Sequence, residues 1–391
     1  MILKRMPEDF KVTELPKVTE DSRGAYSVYK LTKKGIDTYG ALFVLRRRFH
    51  LNPGQIGVAG LKDKHALTVQ YISIHGRQGP ALNVQEPSFT LEFLFYAKKP
   101  IHAGYLKGNA FEITVRNIEP EYLPTLRQRI ALVEKGVPNY YGEQRFGSHS
   151  GSSAFIGRAL MKTAYEDAVK IYLTASTDGE SAAKRHVKNF LAEHWGLWDE
   201  CLTFVKQCGQ ERTVPERLLT HLKRSNNDFS GAVRFIPQSY VRLYLEAYQS
   251  YIWNETTKRV IQRVCRNTFV LPYRAGEFVF YEELDDATLH DLKIASFSFI
   301  EIDATTHFST LIREALTEVI EKERISLMAL NRPLFNAGNL KMRKLLLFPR
   351  DFLVSEPLDD ELYPRHKKTT ISFSLPKGTY ATMITRLLFK Q

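Results

Sequence analysis

The part of this sequence richest in chemistry is a carboxylate set between two ammonium groups. In the stretch VAGLKDKHALTVQ, residues 58–70, a short apolar strand runs into Gly60, then Lys62, Asp63 and Lys64, and then a second apolar strand. Such a segment can be a plain hairpin tip with solvated charges. It can also hold a carboxylate that neighbouring cations keep ionised, available as a nucleophile or base at neutral pH. A second constellation is LKGNAFE, residues 106–112. Gly108 permits a sharp turn or a close approach to a ligand, Asn109 carries a donor and an acceptor that suit a uracil edge, and Phe111 offers a ring for base stacking. Phe111 equally suits a core, because it begins the apolar series Phe111, Ile113, Val115. A third is GVPNYYGEQRFG, residues 136–147, whose glycine, aromatic and amide content implies a tight, specified loop that can be purely structural.

The elements around these groups follow from periodicity. Ala41, Leu42, Val44, Leu45 and Phe49 recur with a helical period over Thr38–His50, with Asp37 or Thr38 as cap. Arg46, Arg47 and Arg48 close that helix, either as a solvated face suited to its negative end or as phosphate contacts. Phe111/Ile113/Val115, Leu91/Phe93/Phe95 and Ile371/Phe373/Leu375 alternate with polar residues and predict half-buried strands. A turn at Pro-Lys-Gly and a capped helix over Thr379–Leu388 follow. The middle differs: helices are predicted over Tyr122–Lys135, Ala154–Leu173, Asp178–His194, Pro237–Cys265 and Ser309–Met328, with few strands between about 150 and 345. The order is sheet, helices, sheet, as when a helix-rich block is inserted into a sheet domain.

Composition narrows the function classes. The 391 residues suggest about two domains, and 43% hydrophobic with 25% charged residues is ordinary globular composition. No apolar stretch is long enough to span a bilayer, and the N-terminus lacks an apolar signal region, so no membrane partner and a cytoplasmic location are expected. Cys201, Cys208 and Cys265 form no C-x-x-C pair and read as free thiols, with no zinc site. There is no P-loop, dinucleotide fingerprint, H-E-x-x-H or G-x-S-x-G motif. The net charge of +12 fits a polyanionic partner, though a basic enzyme of small metabolites fits it too.

Taken together, GLKDKHALTVQ, LKGNAFEITVRN and GVPNYYGEQRFG resemble the signature blocks of TruD-type pseudouridine synthases. LKRMPEDFKVTE at Leu3–Glu14, LYLEAYQSYIWN at Leu243–Asn254 and FSLPKGTYATMITRLL at Phe373–Leu388 extend the resemblance in the family's order over nearly the whole chain. It implies an α+β fold: a pseudouridine-synthase catalytic domain with a mixed, mainly antiparallel sheet, plus an inserted helix-rich TRUD domain. The implied division is 1–135 and 348–391 for the catalytic domain and 136–347 for the insertion. The resemblance makes Asp63 the catalytic carboxylate. Phe10, Asn109 and Phe111 become residues that line the base and hold the aspartate, and Lys4 a lysine near the active site. Tyr380 becomes a base-contacting ring at a phenylalanine-like position, with a hydroxyl added. The 147–235 stretch looks longer and more divergent than in compact relatives.

The implied activity is isomerisation of uridine to pseudouridine in tRNA, with uridine 13 of the D-arm as the expected target and neither cofactor, metal nor obligatory protein partner. The reaction breaks N1–C1′, turns the uracil and joins C5 to C1′. The base must first leave its stack, at a cost of a few kcal/mol. A carboxylate can attack C1′ or remove the 2′ proton to give a glycal. Either route needs Asp63 ionised, with Lys62, Lys64 or Lys4 supplying the field. A non-catalytic RNA-binding protein and a small-metabolite enzyme are the competing readings. The intact Asp63 weighs against the first and the six blocks against the second.

Overall fold

A computed structural model describes residues 1–147, 155–176, 179–225, 227–299, 309–330 and 342–390. The chain forms two compact units, residues 1–137 with 348–391, and residues 138–347.

The first unit is built on one sheet. Its strands are β1 (Ile2–Leu3), β2 (Phe10–Pro16), β3 (Tyr26–Lys34), β4 (Ile56–Val58), β5 (Leu67–His75), β6 (Val84–Glu86), β7 (Phe89–Ala97), β8 (Leu106–Ile118), β9 (Arg350–Val354), β10 (Leu358–Asp359) and β11 (Lys367–Pro376). The order is β9-β11-β8-β2-β5-β3-β7-β6, with β1 on β8, β4 on β5 and β10 on β11. β2 and β5 run parallel while the neighbouring pairs are antiparallel, so the sheet is mixed and mainly antiparallel. Its middle joins distant parts of the chain: Phe111 of β8 lies between Val12 of β2 and Phe373 of β11.

Helix α1 (Thr38–Phe49) begins where its cap predicts. The Asp37 carboxylate accepts the Gly40 amide at 2.7 Å, and His50 ends the helix in the left-handed region at φ 53°. Its face bearing Ala41 and Leu45 packs on Tyr29, Leu31, Ile72 and Ile74, all fully buried. Helices α2 (Leu123–Glu134) and α3 (Ala381–Phe389) pair with each other. Arg129 donates to the Leu387 carbonyl and Tyr122 to the Leu388 carbonyl, each at 2.6 Å, which satisfies carbonyls at the α3 end.

The second unit is helix-rich, and several elements differ from expectation. The helix expected over Ala154–Leu173 is two, Ile156–Met161 and Tyr165–Thr174, because Thr163 turns left-handed at φ 56°; Ala154 lies outside the described residues. The helix expected from Asp178, which also lies outside them, runs Ala182–Glu193 with Ser181 as its cap. The helix expected over Ser309–Met328 stops at Glu323, before left-handed Arg324. The long helix runs Gln238–Val264, one residue inside each expected end. A hairpin of Thr268–Tyr273 and Gly276–Tyr281 had no expectation, although Phe269, Leu271 and Tyr273 alternate with other residues. Among the described residues, no helix is long and apolar enough to cross a membrane.

Candidate active site

Asp63 sits in the loop from the end of β4 to the start of β5, and buried side chains hold that loop by its backbone. Lys33 is 1% exposed. Its ammonium donates to three carbonyls: Asp63 at 2.7 Å, Ile36 at 2.9 Å and Lys62 at 3.2 Å. Thr38, at the start of α1, accepts the Lys62 amide at 2.9 Å and donates to Gln70 Oε1 at 2.9 Å. Gln70 donates in turn to the Gly60 carbonyl at 3.4 Å. Backbone groups bonded this way fix where the Asp63 side chain leaves the chain.

The carboxylate has two donors. Lys4 Nζ reaches Oδ2 at 2.6 Å and the His65 amide reaches Oδ1 at 3.0 Å. The Asp63 side chain keeps 30% of its surface exposed, so it remains open to a ligand. Partial burial pushes its pKa up, but the Lys4 ammonium and the His65 amide outweigh that and hold it below the ordinary aspartate value. Lys4 is itself in the left-handed region at φ 56°, and its ammonium lies 4.0 Å from the centroid of the Phe10 ring. The carboxylate, the lysine and the ring therefore form one contact chain.

Of the three lysines expected to set the field at Asp63, only Lys4 bonds to it. Lys62 turns away: its Nζ donates to Asn109 Oδ1 at 2.6 Å and lies 3.3 Å from Glu14 Oε2. Lys64 is exposed and forms no ion pair among the described residues. Lys62 also bonds Asn109. An ammonium can only donate, so it selects the amide oxygen. The NH₂ group keeps its two donors, and the oxygen keeps a second lone pair.

Phe111 is half-buried. It stacks on Phe373 with centroids 5.3 Å apart and meets Phe10 edge-on at 6.3 Å. Packing on Phe373 and Phe10 thus leaves Phe111 only partly buried. Tyr380 is half-buried at the position before α3, just beyond Leu375, which pairs with Asn109 in the sheet. Lys4, Phe10, Asp63, Asn109 and Phe111 are linked by direct contacts or through Lys62, and Tyr380 follows the strand beside them.

Three contributors were missed: Lys33, Glu14 and Phe373. Two had a readable signal. Tyr29, Leu31 and Lys33 share one face of β3, and Phe10, Val12 and Glu14 one face of β2, so each strand puts a charge on its apolar face. Burial raises the Glu14 pKa, with Lys62 opposing. No signal isolated Phe373 from its core neighbours.

The third constellation is spent on architecture. Asn254 in the long helix accepts the Tyr141 amide at 2.8 Å and donates to the Tyr141 carbonyl at 3.0 Å. Arg343 donates to the Asn139 side-chain oxygen at 2.6 Å and to its carbonyl at 2.9 Å, while Arg145 pairs with Glu246 at 3.0 Å. Among the described residues, no group of three His, Cys, Asp or Glu is arranged to hold a metal ion.

Comparison with known proteins points to one family. A family model described as tRNA pseudouridine synthase D (TruD) matches residues 1–388. A protein of Methanococcus maripaludis named "Probable tRNA pseudouridine synthase D 1" is 32% identical, covering 100% of this chain and 99% of its own. The protein named tRNA pseudouridine synthase D of Aquifex aeolicus is 29% identical, covering 99% of this chain and 97% of its own. A crystal structure from Methanosarcina mazei, titled as a TruD protein, superposes with a TM-score of 0.71 at 27% identity, over 100% of this chain and 93% of that one.

Proposed function

The chain belongs to the tRNA pseudouridine synthase D (TruD) family, and from that premise we propose that it isomerises uridine 13 in the D-arm of tRNA, with Asp63 as the catalytic carboxylate. The observation that carries the catalytic assignment is an ionised, part-exposed carboxylate, bonded by Lys4 and the His65 amide, beside an aromatic cluster.

In this mechanism the flipped uridine enters with its sugar toward Asp63 and its base toward Phe111 and Phe10. Asp63 either attacks C1′ as N1 departs or removes the 2′ proton to open a glycal route. In either case negative charge passes to the detached uracil, and the Lys4 ammonium, released from its carboxylate, is positioned to balance it. The NH₂ group of Asn109, oriented by Lys62, donates to a uracil carbonyl oxygen while the base turns. C5 then bonds to C1′ as the Asp63–C1′ ester bond breaks, or as the 2′ proton returns to the glycal, and the C5 proton leaves while N1 gains one, so the product is an isomer with no net redox change or phosphoryl transfer. Tyr380 is proposed as a further ring at the base.

The test is to incubate purified protein with an unmodified tRNA transcript and map pseudouridine along it. A single new pseudouridine at position 13 is expected. Modification at another position would displace the target assignment, and none at all would remove the activity.

A further inference from the structure

Helix α1 carries an anomaly on the face turned away from the sheet. Tyr39 is 68% exposed and Phe43 57%, although its buried positions are Thr38, Ala41 and Leu45. Tyr39, Phe43 and Arg47 recur every fourth residue and so lie on one face. The Arg47 guanidinium sits 5.8 Å from the Phe43 ring centroid. Single exposed apolar residues need no explanation, but two aromatic rings in register with an arginine are the pattern of a nucleic-acid stacking platform.

This face begins at the catalytic loop. The Thr38 hydroxyl accepts the Lys62 amide at 2.9 Å, so Tyr39 stands one residue from that junction on the helix side. Leu61, 57% exposed, stands one residue from it on the loop side. From there the stripe runs about 12 Å along the helix to Arg47.

Charge decides what covers it. α1 contains no carboxylate, and its last turn holds Arg46, Arg47 and Arg48, of which Arg48 pairs with Glu86 at 2.6 Å. Arg47 is exposed and forms no ion pair among the described residues. An apolar protein partner would use the rings and leave the arginine unmatched. RNA uses both, because bases stack on the rings and a phosphate meets the guanidinium.

We propose that the Tyr39–Phe43–Arg47 face of α1 is a docking surface for the substrate tRNA, stacking unpaired bases next to the target uridine in the chain. This rests on tRNA being the substrate. The rings would hold the strand after the target leaves its stack, recovering part of the cost of flipping.

The experiment measures binding of an unmodified tRNA transcript to the full chain over a salt series, with single-turnover modification in parallel. Tyr39→Ala/Phe43→Ala is expected to weaken binding at least about tenfold with an unchanged salt slope, because stacking involves no released counterion. Arg47→Ala should weaken it less and lower the slope by about one. Phe43→Trp, which keeps a ring, should bind within about twofold of the parent, a difference too small for a lost stack. The parent must modify the transcript; if it does not, the tRNA reading itself fails. If the parent is active and the double variant binds within twofold, this face does not touch RNA and the proposal is overturned. It is also overturned if the double variant fails to fold, or if its one change is conversion of a sedimenting dimer to monomer.

Discussion

The Asp63 loop and the Asn139–Phe146 segment contain the same kinds of side chain, and the structure uses them in opposite ways. In the second unit the polar groups consume one another. Asn254 takes both backbone groups of Tyr141, Arg343 takes both oxygens of Asn139, and Arg145 takes Glu246. In the first unit the bonding is directed at the backbone of the loop, by Lys33, Thr38 and Gln70. The Asp63 carboxylate keeps part of its surface exposed. A motif of amides, aromatics and charges therefore does not separate catalysis from architecture. The distinction lies in which polar atoms still have capacity after folding.

The comparison breaks first at Asp63. Asp63→Asn preserves shape but removes the charge and leaves one acceptor oxygen for the two donors, so turnover should fall at least about a thousandfold, roughly 4 kcal/mol of barrier. The fold and tRNA binding should survive. Single-turnover pseudouridine formation measures it, and a rate within tenfold of the parent would return Asp63 to the status of a hairpin tip.

The matching change in the second unit is Asn254→Ala. It removes the side chain that bonds the Tyr141 amide and carbonyl in a buried site, costing about 2–6 kcal/mol of stability at about 1–3 kcal/mol per lost partner. The melting temperature should drop while turnover per folded molecule stays near that of the parent. An undisturbed melt with slow turnover would mean that this loop too serves chemistry.

Phe111→Ala and Asn109→Ala sharpen the contrast inside the first unit. Each should slow turnover about tenfold, near 1.4 kcal/mol of barrier. Phe111 is only half-buried, so its truncation should cost less than the 3–5 kcal/mol typical of a core phenylalanine. Thermal melts and rates from the same samples decide this. A badly unfolded Phe111→Ala, or one with full activity, would remove the ring from the site.

The smallest effect is in pH. Burial pulls the Lys33 pKa down to about 8, against the attraction of Asp63 and Asp37 and with the repulsion of Lys62. A neutral amine has two hydrogens for three carbonyls, so turnover should decline above that pH. Stability should move the other way. The folded state releases the Lys33 proton before the unfolded chain does, so this group's contribution rises from there toward the unfolded value of about 10.4. On the acid side Asp63 is depressed, so it stays ionised into the ordinary carboxylate range, and its contribution is lost as pH falls through the folded pKa. Urea melts and rates over one pH series would show the opposed trends. A rate that stays flat well into alkali would mean that the charge on Lys33 is not needed.

Local rules made much of this molecule legible. The cap at Asp37, the period of Ala41 and Leu45, and the alternation through Phe111 and Phe373 are set by neighbours a few residues apart, so sequence alone predicted those elements. The six blocks also named the candidate site residues. Helix ends in the second unit were less legible, because Thr163 and Arg324 adopt left-handed conformations that their residue types do not announce. Tertiary structure decided the site's bonding. Lys4 and Asp63 are 59 residues apart, Lys62 and Asn109 are 47, and their meeting depends on sheet register between strands distant in the chain. Lys62 and Lys64 flank the aspartate in sequence, while Lys4 and Lys33 come from far along the chain. Only the placement of Lys33 under the loop and of Glu14 and Asn109 beside Lys62 leaves Lys4 to bond the carboxylate, because each ammonium goes to the acceptors that its own strand or loop brings within about 3 Å.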